Sequence, residues 1–133
     1  MTLYVDSSAL IKRYVDEPES ETVDELLAAA TALVTARHTV VEVRRNLARL
    51  TPARALGAAQ REFRRDLEAF SIVELDEGTC ELAATIAETT GARSLDALHI
   101  AAAKRVGGGI TFLSFDVRQG QAARTVGLDT AGV

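Results

Sequence analysis

The sequence predicts an α/β fold of three layers, a parallel sheet of four to five strands with helices on both faces. Two observations predict it. Short apolar runs alternate with amphipathic segments along the chain, the pattern of strand–helix–strand units. The first run, Leu3-Tyr4-Val5, stops abruptly at Asp6-Ser7-Ser8, and an amphipathic segment starts at Ala9. A buried strand therefore carries an acid to a helix start. In open α/β sheets, ligands bind at that edge.

The elements follow in order. Ser7 to Val15 reads as a short helix with Leu10, Ile11 and Tyr14 inward, broken by Asp16-Glu17-Pro18. Ser20 to Ala30 is a second helix, with Ser20 in capping position. Ala32 to Thr35 is the second strand. Arg37-His38-Thr39 leads into a third helix from Val40 to about Leu50, with His38 in the connecting loop. Pro52 opens a fourth helix, whose apolar stripe runs through Ala55, Leu56, Ala59, Phe63, Leu67 and Phe70. Ser71 to Leu75 is the third strand. Thr79 to Thr90 is a helix closed by Gly91. Ser94 caps an apolar helix, Leu95 to Val106, which three glycines stop. Ile110 to Leu113 is the fourth strand. A helix from Asp116 to about Thr125 and a short fifth strand starting at Gly127-Leu128 complete the chain.

The chain has 133 residues, enough for one domain (1–133) with a real core. Its net charge of −4 gives no global attraction to nucleic acid, though a local basic patch remains open. The single cysteine, Cys80, excludes an internal disulfide framework and reads as a small buried residue. No apolar stretch approaches the roughly 20 residues a membrane span needs. No signal peptide is visible at the start. The expected compartment is the cytoplasm.

Four acids occupy matching places: Asp6, Glu42, Asp96 and Asp116. Each has a local explanation. Asp6 and Asp116 suit N-caps. Thr39 to Glu42 fits a capping box. Asp96 sits in a first helical turn, where the dipole favours an anion. Yet all four fall near one edge of the expected sheet. Two carboxylates about 4 Å apart repel by roughly 4 kcal/mol at an effective dielectric near 20. A divalent cation offsets that, and oxygen-only ligands suit Mg2+ or Mn2+. No Cys/His cluster suggests zinc.

The segments Asp6-Ser7-Ser8-Ala9-Leu10, Glu42, Arg93 to Ala101, and Leu113-Ser114-Phe115-Asp116 together resemble a PIN domain, in particular the VapC-type toxins of bacterial toxin–antitoxin pairs. The resemblance covers essentially the whole chain. It implies a PIN-like α/β/α fold and a Mg2+-dependent endoribonuclease, with Asp6, Glu42, Asp96 and Asp116 as the acidic set. Ser7 and Ser114 would be hydrogen-bonding neighbours. Some relatives carry another acid shortly after the last aspartate. Here Val117-Arg118 follows, which favours one ion over two. In the chemistry this implies, Asp6, Asp96 and Asp116 ligate the metal, Glu42 orients or deprotonates the water, and Ser114 fixes a carboxylate or that water. The resemblance further implies a homodimer and a cognate antitoxin. His99 reads as a packed, satisfied core residue.

Eight of the fifteen basic residues lie between Arg37 and Arg65. Arg44, Arg45 and Arg49 are the candidate RNA contacts, joined by Lys12 and Arg13 near Asp6. Two other classes compete. A non-catalytic PIN-like module that binds RNA or protein would have lost one or more acids. A haloacid-dehalogenase-like phosphatase would need a second aspartate where Ser8 stands.

Overall fold

Leu3, Tyr4 and Val5 are fully buried because the first strand lies in the middle of the sheet. The computed structural model describes residues 1–133. In chain order the elements are β1 (Thr2–Val5), α1 (Ser7–Leu10) with a 3-10 turn over Ile11–Arg13, α2 (Ser20–Ala29), β2 (Ala32–Ala36), α3 (Arg37–Leu50), α4 (Ala53–Leu67), β3 (Phe70–Val73), α5 (Glu77–Thr90), α6 (Ser94–Val106), β4 (Ile110–Leu113), α7 (Val117–Thr125) and β5 (Asp129–Ala131). All strand pairs are parallel, in the order β3-β2-β1-β4-β5.

Side chains alternate across this sheet, as the period of two requires. Tyr4, Val34, Ala36, Ile110 and Phe112 pack on one face under α5, α6 and α7, with Ile86, Ile100 and Ala123. Leu3, Val5 and Leu113 pack on the other, with Leu10, Val43, Leu47 and Phe63 from α1, α3 and α4. The result is three layers, as the sequence predicts.

The strand order fixes the functional edge. From β1 the chain steps outward to β2 and β3, then returns to lay β4 and β5 on the other side. The connections therefore leave in opposite directions at the carboxyl ends of β1 and β4, where open α/β sheets form their binding crevice. Thr35 pins the edge together. Its hydroxyl donates to the Val5 carbonyl at 2.7 Å and lies 2.7 Å from the Thr39 hydroxyl, so the start of α3 is tied to the end of β1.

Several local expectations are corrected. The first helix is one α-turn continued as a 3-10 turn. Phe70 begins β3 rather than ending α4, because Leu33 of β2 pairs with it. Ser20 is a first-turn residue whose hydroxyl accepts from the Glu17 amide and donates to Val15, so it closes the preceding turn and caps nothing. Ser94 makes no cap either, since its helix starts one residue earlier with Arg93 in the cap position. Asp76 instead caps α5 by accepting from the Thr79 amide at 2.9 Å. Cys80 is exposed; its neighbour Thr79 takes the buried face. Gly91 ends α5 in the left-handed region, as expected. Gly132 is also left-handed, and a Cβ there would collide with the Ser114 carbonyl.

Candidate active site at the carboxyl edge of the sheet

Asp6 leaves β1 and is 2% exposed. Its carboxylate accepts the Ala9 amide at 2.7 Å and the Ser8 hydroxyl at 2.9 and 3.0 Å, so it does cap α1. Burial pushes its pKa up, offset in part by His99 and these hydrogen bonds. Asp116 leaves β4 and caps α7 through the Arg118 and Gln119 amides. Asp96 arrives differently. Helix α6 runs back toward the start of β4, so its first turn lies at the strands' carboxyl edge. Asp96 is half-buried there and accepts no capping bond. Burial first, then the charge of Asp116, raises its pKa. None of these three aspartates is in an ion pair.

Glu42 overturns the capping-box expectation. Helix α3 begins at Arg37, so Thr39 is inside it and its hydroxyl serves Thr35. Glu42 instead lies 2.7 Å from His99 Nε2 and 3.7 Å from His38 Nε2. Burial pushes its pKa up, but the two histidines and Ser7 outweigh this and hold it below the usual value. His99 is packed as expected, 1% exposed, with Nδ1 2.7 Å from the Tyr4 hydroxyl. Its other nitrogen, however, serves a site acid rather than the core. His38 is not a loop residue. It is buried in the first turn of α3, its Nε2 3.2 Å from the Leu95 carbonyl and its ring 4.0 Å from that of His99. Burial and His99 lower its pKa to about 4.

The Ser114 hydroxyl donates to Gln119 at 2.8 Å and accepts from the Asp116 amide at 3.1 Å. It shapes the turn that presents Asp116. Ser7 Oγ is 3.5 Å from His99 Nε2. A cleft of about 490 Å3 opens beside Asp96 and Asp116, and Arg93, Arg118 and Gln119 also line it. Neither arginine is in an ion pair. The Gln119 amide nitrogen is buried there without a partner. Sequence reasoning missed these three residues, although Arg93 and Arg118 stand within three positions of a site aspartate.

The expected basic residues divide. Arg44, Arg45 and Arg49 are exposed on α3 and free of ion pairs. Arg45 and Arg49 follow Glu42 by three and seven positions and share its helix face. Lys12 and Arg13 are already engaged. Lys12 pairs with Glu17 and Glu19, and Arg13 with Asp66 and Asp24. Arg13 also lines a small cavity with Leu33 and Phe70, toward the strands' amino ends.

Together these features define an α/β protein with three aspartates, none of them in an ion pair, on the elements that border its topological crevice. A search of family models then matches the PIN domain over residues 3–125, so the chain belongs to the PIN domain family. It is 34% identical to Ribonuclease VapC46 of Mycobacterium tuberculosis, over 95% of this chain and 93% of that protein. Ribonuclease VapC47 of the same species is 33% identical, over 97% and 95%. Among solved structures, FitAcB from Neisseria gonorrhoeae superposes with a TM-score of 0.77 at 21% identity, covering 96% of this chain and 95% of that one. A toxin–antitoxin complex from Klebsiella pneumoniae gives 0.70 at 16% identity, covering 90% of each chain.

Proposed function

We propose that this chain is a metal-dependent endoribonuclease, the toxin of a toxin–antitoxin pair, acting in the cytoplasm. The observation that carries the reading is three aspartates without ion pairs at the β1/β4 crevice, two of which, Asp96 and Asp116, line a cleft with two unpaired arginines. The curated relatives, both named as ribonucleases, support the same class.

The donor set fits a hard divalent cation. Asp6, Asp96 and Asp116 offer oxygen only and none is in an ion pair; burial raises the pKa of Asp6, and burial and then the charge of Asp116 raise that of Asp96. These three would hold Mg2+, with Mn2+ as a substitute. When bound, the ion supplies Lewis acidity toward a phosphate oxygen and acidifies a water. Glu42, kept anionic by His99, accepts the proton of the attacking water. Arg93 and Arg118 hold the flanking phosphates. Arg45 and Arg49 extend the basic track along the Glu42 face of α3, with Arg44 beside it. Lys12 and Arg13 act in the fold, bracing the first turn against α2 and α4.

The antitoxin has a surface suited to it. Val41, Leu95 and Val117 are 69%, 51% and 58% exposed, and each is next in the chain to a site acid. An apolar rim around an acidic centre suits a protein segment with apolar and basic side chains. A second copy of the chain completes the proposed assembly as a homodimer. The phosphatase alternative is disfavoured by Ser8, which donates to Asp6 where that chemistry needs a second acid.

The test is cleavage of RNA by the purified chain with and without Mg2+, beside the variants Asp6→Asn and Asp96→Asn. Wild-type cleavage should need the metal, and each variant should fall by at least about 100-fold. Binding of RNA without any metal-dependent cleavage would support the non-catalytic module instead.

A further inference from the structure

We propose that His38, Glu42 and His99 form a second metal site, separate from the aspartates, that takes a transition-metal dication such as Zn2+ and holds the enzyme off by tying down Glu42. The inhibitory half rests on the ribonuclease reading above; the binding half does not.

One ligand atom from each residue lies within 4.8 Å of the other two, and no other group of three histidine, cysteine or acidic side chains does so. The aspartates are not such a group. Glu42 Oε1 is 2.7 Å from His99 Nε2 and 3.7 Å from His38 Nε2. Tetrahedral Zn2+, with bonds of about 2.0–2.2 Å, places its ligands roughly 3.3–3.5 Å apart. These two separations therefore bracket the required one, and shifts well under ~1 Å suffice.

The frame holding them is rigid. His38 and Glu42 are four apart on α3 and share its face. His99 comes from α6, which packs against β2, directly before α3. Two imidazole nitrogens and one carboxylate oxygen form a borderline donor set that favours Zn2+, Co2+ or Ni2+ over Mg2+. The outer support is present as well. A ligating histidine ordinarily has its far nitrogen fixed by a hydrogen bond, and His99 Nδ1 meets the Tyr4 hydroxyl at 2.7 Å. Tyr4 is itself immobilised, fully buried and stacked on Phe112 with ring centroids 5.2 Å apart.

His38 is otherwise hard to explain. A purely structural buried histidine has both nitrogens satisfied. His38 Nε2, the atom 3.7 Å from Glu42, has only the Leu95 carbonyl at 3.2 Å, a bond that an ion would replace, and its Nδ1 is buried without a partner. Its ring also lies against that of His99, a contact that serves two convergent ligands. Entry is open from the Glu42 side, whose side chain is 23% exposed, and this leaves a fourth coordination position for water. On binding, both ligating Nε2 atoms must be bare: His99 keeps its proton on Nδ1, which donates to Tyr4, while His38 Nε2 releases the Leu95 carbonyl and its proton moves through solvent to Nδ1, any further proton going to solvent. Glu42 then directs its charge to the ion and no longer accepts a proton from water.

The test is a Co2+ titration of the full chain after EDTA treatment, followed by its visible d–d absorption. We expect a one-to-one tetrahedral spectrum that Zn2+ displaces. His38→Asn should weaken Co2+ binding by about 10- to 100-fold or more, and His99→Gln likewise. Asp6→Asn should leave the spectrum intact. With excess Mg2+, one equivalent of Zn2+ should arrest RNA cleavage by the wild type, whereas His38→Asn should keep its own Zn2+-free rate, whatever that rate is, when the same Zn2+ is added. Circular dichroism checks folding, and His38→Asn decides alone if His99→Gln does not fold. No tetrahedral spectrum, one that survives both histidine variants, or one abolished in Asp6→Asn alone would overturn the site. A chain that binds Co2+ as described yet never cleaves RNA would refute the ribonuclease reading and leave the metal site standing.

Discussion

Replacing Asp96 by asparagine should stabilise the metal-free protein, against the usual trend for point substitutions. Asp96 accepts no capping hydrogen bond, so the side chain has no local structural bond to lose. What the substitution removes is a charge in the first turn of α6, worth about 0.3–1 kcal/mol. What it relieves is larger. Burial and the neighbouring Asp116 push the Asp96 pKa up despite the opposing pull of His99 and Arg93, so its surroundings as a whole disfavour the charged form. Asp96 is only half-buried, so solvent screens it, and an effective dielectric of about 40 is apt. Relief of the buried charge, together with a carboxylate repulsion on the order of 1 kcal/mol at that dielectric, then exceeds the dipole contribution. The net gain is about 0.5–1 kcal/mol, or an increase in melting temperature of ~2–5 °C for a chain of this size.

The pH dependence has a definite sign. A carboxyl whose pKa is raised on folding makes the folded state bind protons more tightly. The wild type should therefore recover stability as pH falls through that raised value, completely below the ordinary 3.8. The advantage of Asp96→Asn should shrink over the same range. Mg2+ should close the gap at neutral pH, since a ligand at ~100 times its Kd stabilises by about 2.7 kcal/mol, and the variant should respond much less. The assay is thermal unfolding of both proteins in EDTA and in Mg2+, at neutral and acid pH. If Asp96→Asn melts lower in EDTA and metal shifts both proteins equally, the carboxylates do not share a site.

Three further outcomes follow from other parts of the molecule. Reversing the charges of Arg44, Arg45 and Arg49 together should weaken RNA binding and flatten its dependence on salt, by about 0.7 in logarithmic slope for each phosphate no longer neutralised; filter binding across a salt series measures this. His38 is buried with its pKa lowered to about 4 from 6.5, so it contributes stability above pH 6.5 that disappears as pH falls through 4; His38→Asn should flatten that acid limb by about 1–3 kcal/mol in urea unfolding carried out in EDTA. Gly132→Ala should lower stability by about 1–3 kcal/mol, because the residue is left-handed and its new Cβ would meet the Ser114 carbonyl; a melting temperature equal to wild type would refute that.

The layers and strands were legible in the sequence because a doubly covered parallel sheet writes its strands as apolar runs, and Leu3 to Val5 and Ile110 to Leu113 are such runs. Boundaries were less legible where one pattern serves two elements. Phe70 continues the apolar stripe of α4, yet pairing with Leu33 takes it into β3. The four acids could be named, but their partners could not. Thr39 and Glu42 have capping-box spacing, but α3 starts at Arg37, so Thr39 lies inside the helix, bonded to Thr35, and Glu42 lies beside His99. His38 and His99 are sixty-one positions apart and meet through tertiary packing, which no local pattern encodes.

Capping and site chemistry are usually weighed as rival explanations for an acid at a helix start, and here they divide along a structural line. Asp6 directly follows β1, and Asp116 follows β4 after Ser114-Phe115; both stand immediately before a helix, so each meets the free amides of that helix and caps it. Their capping bonds restrict the carboxylates and fix where they stand, which is what a metal site needs of its ligands. Asp96 and Glu42 lie inside their helices, accept no capping bond, and are half-buried beside other charged groups. Helix stability offers Glu42 no benefit in that position, and it offers Asp96 less than the repulsion takes away. Their presence is explained by what crosses the crevice rather than by the helices that carry them. Asp96→Asn is therefore the sharper probe of the site, and Asp6→Asn, which disturbs a cap and a ligand together, is the weaker one.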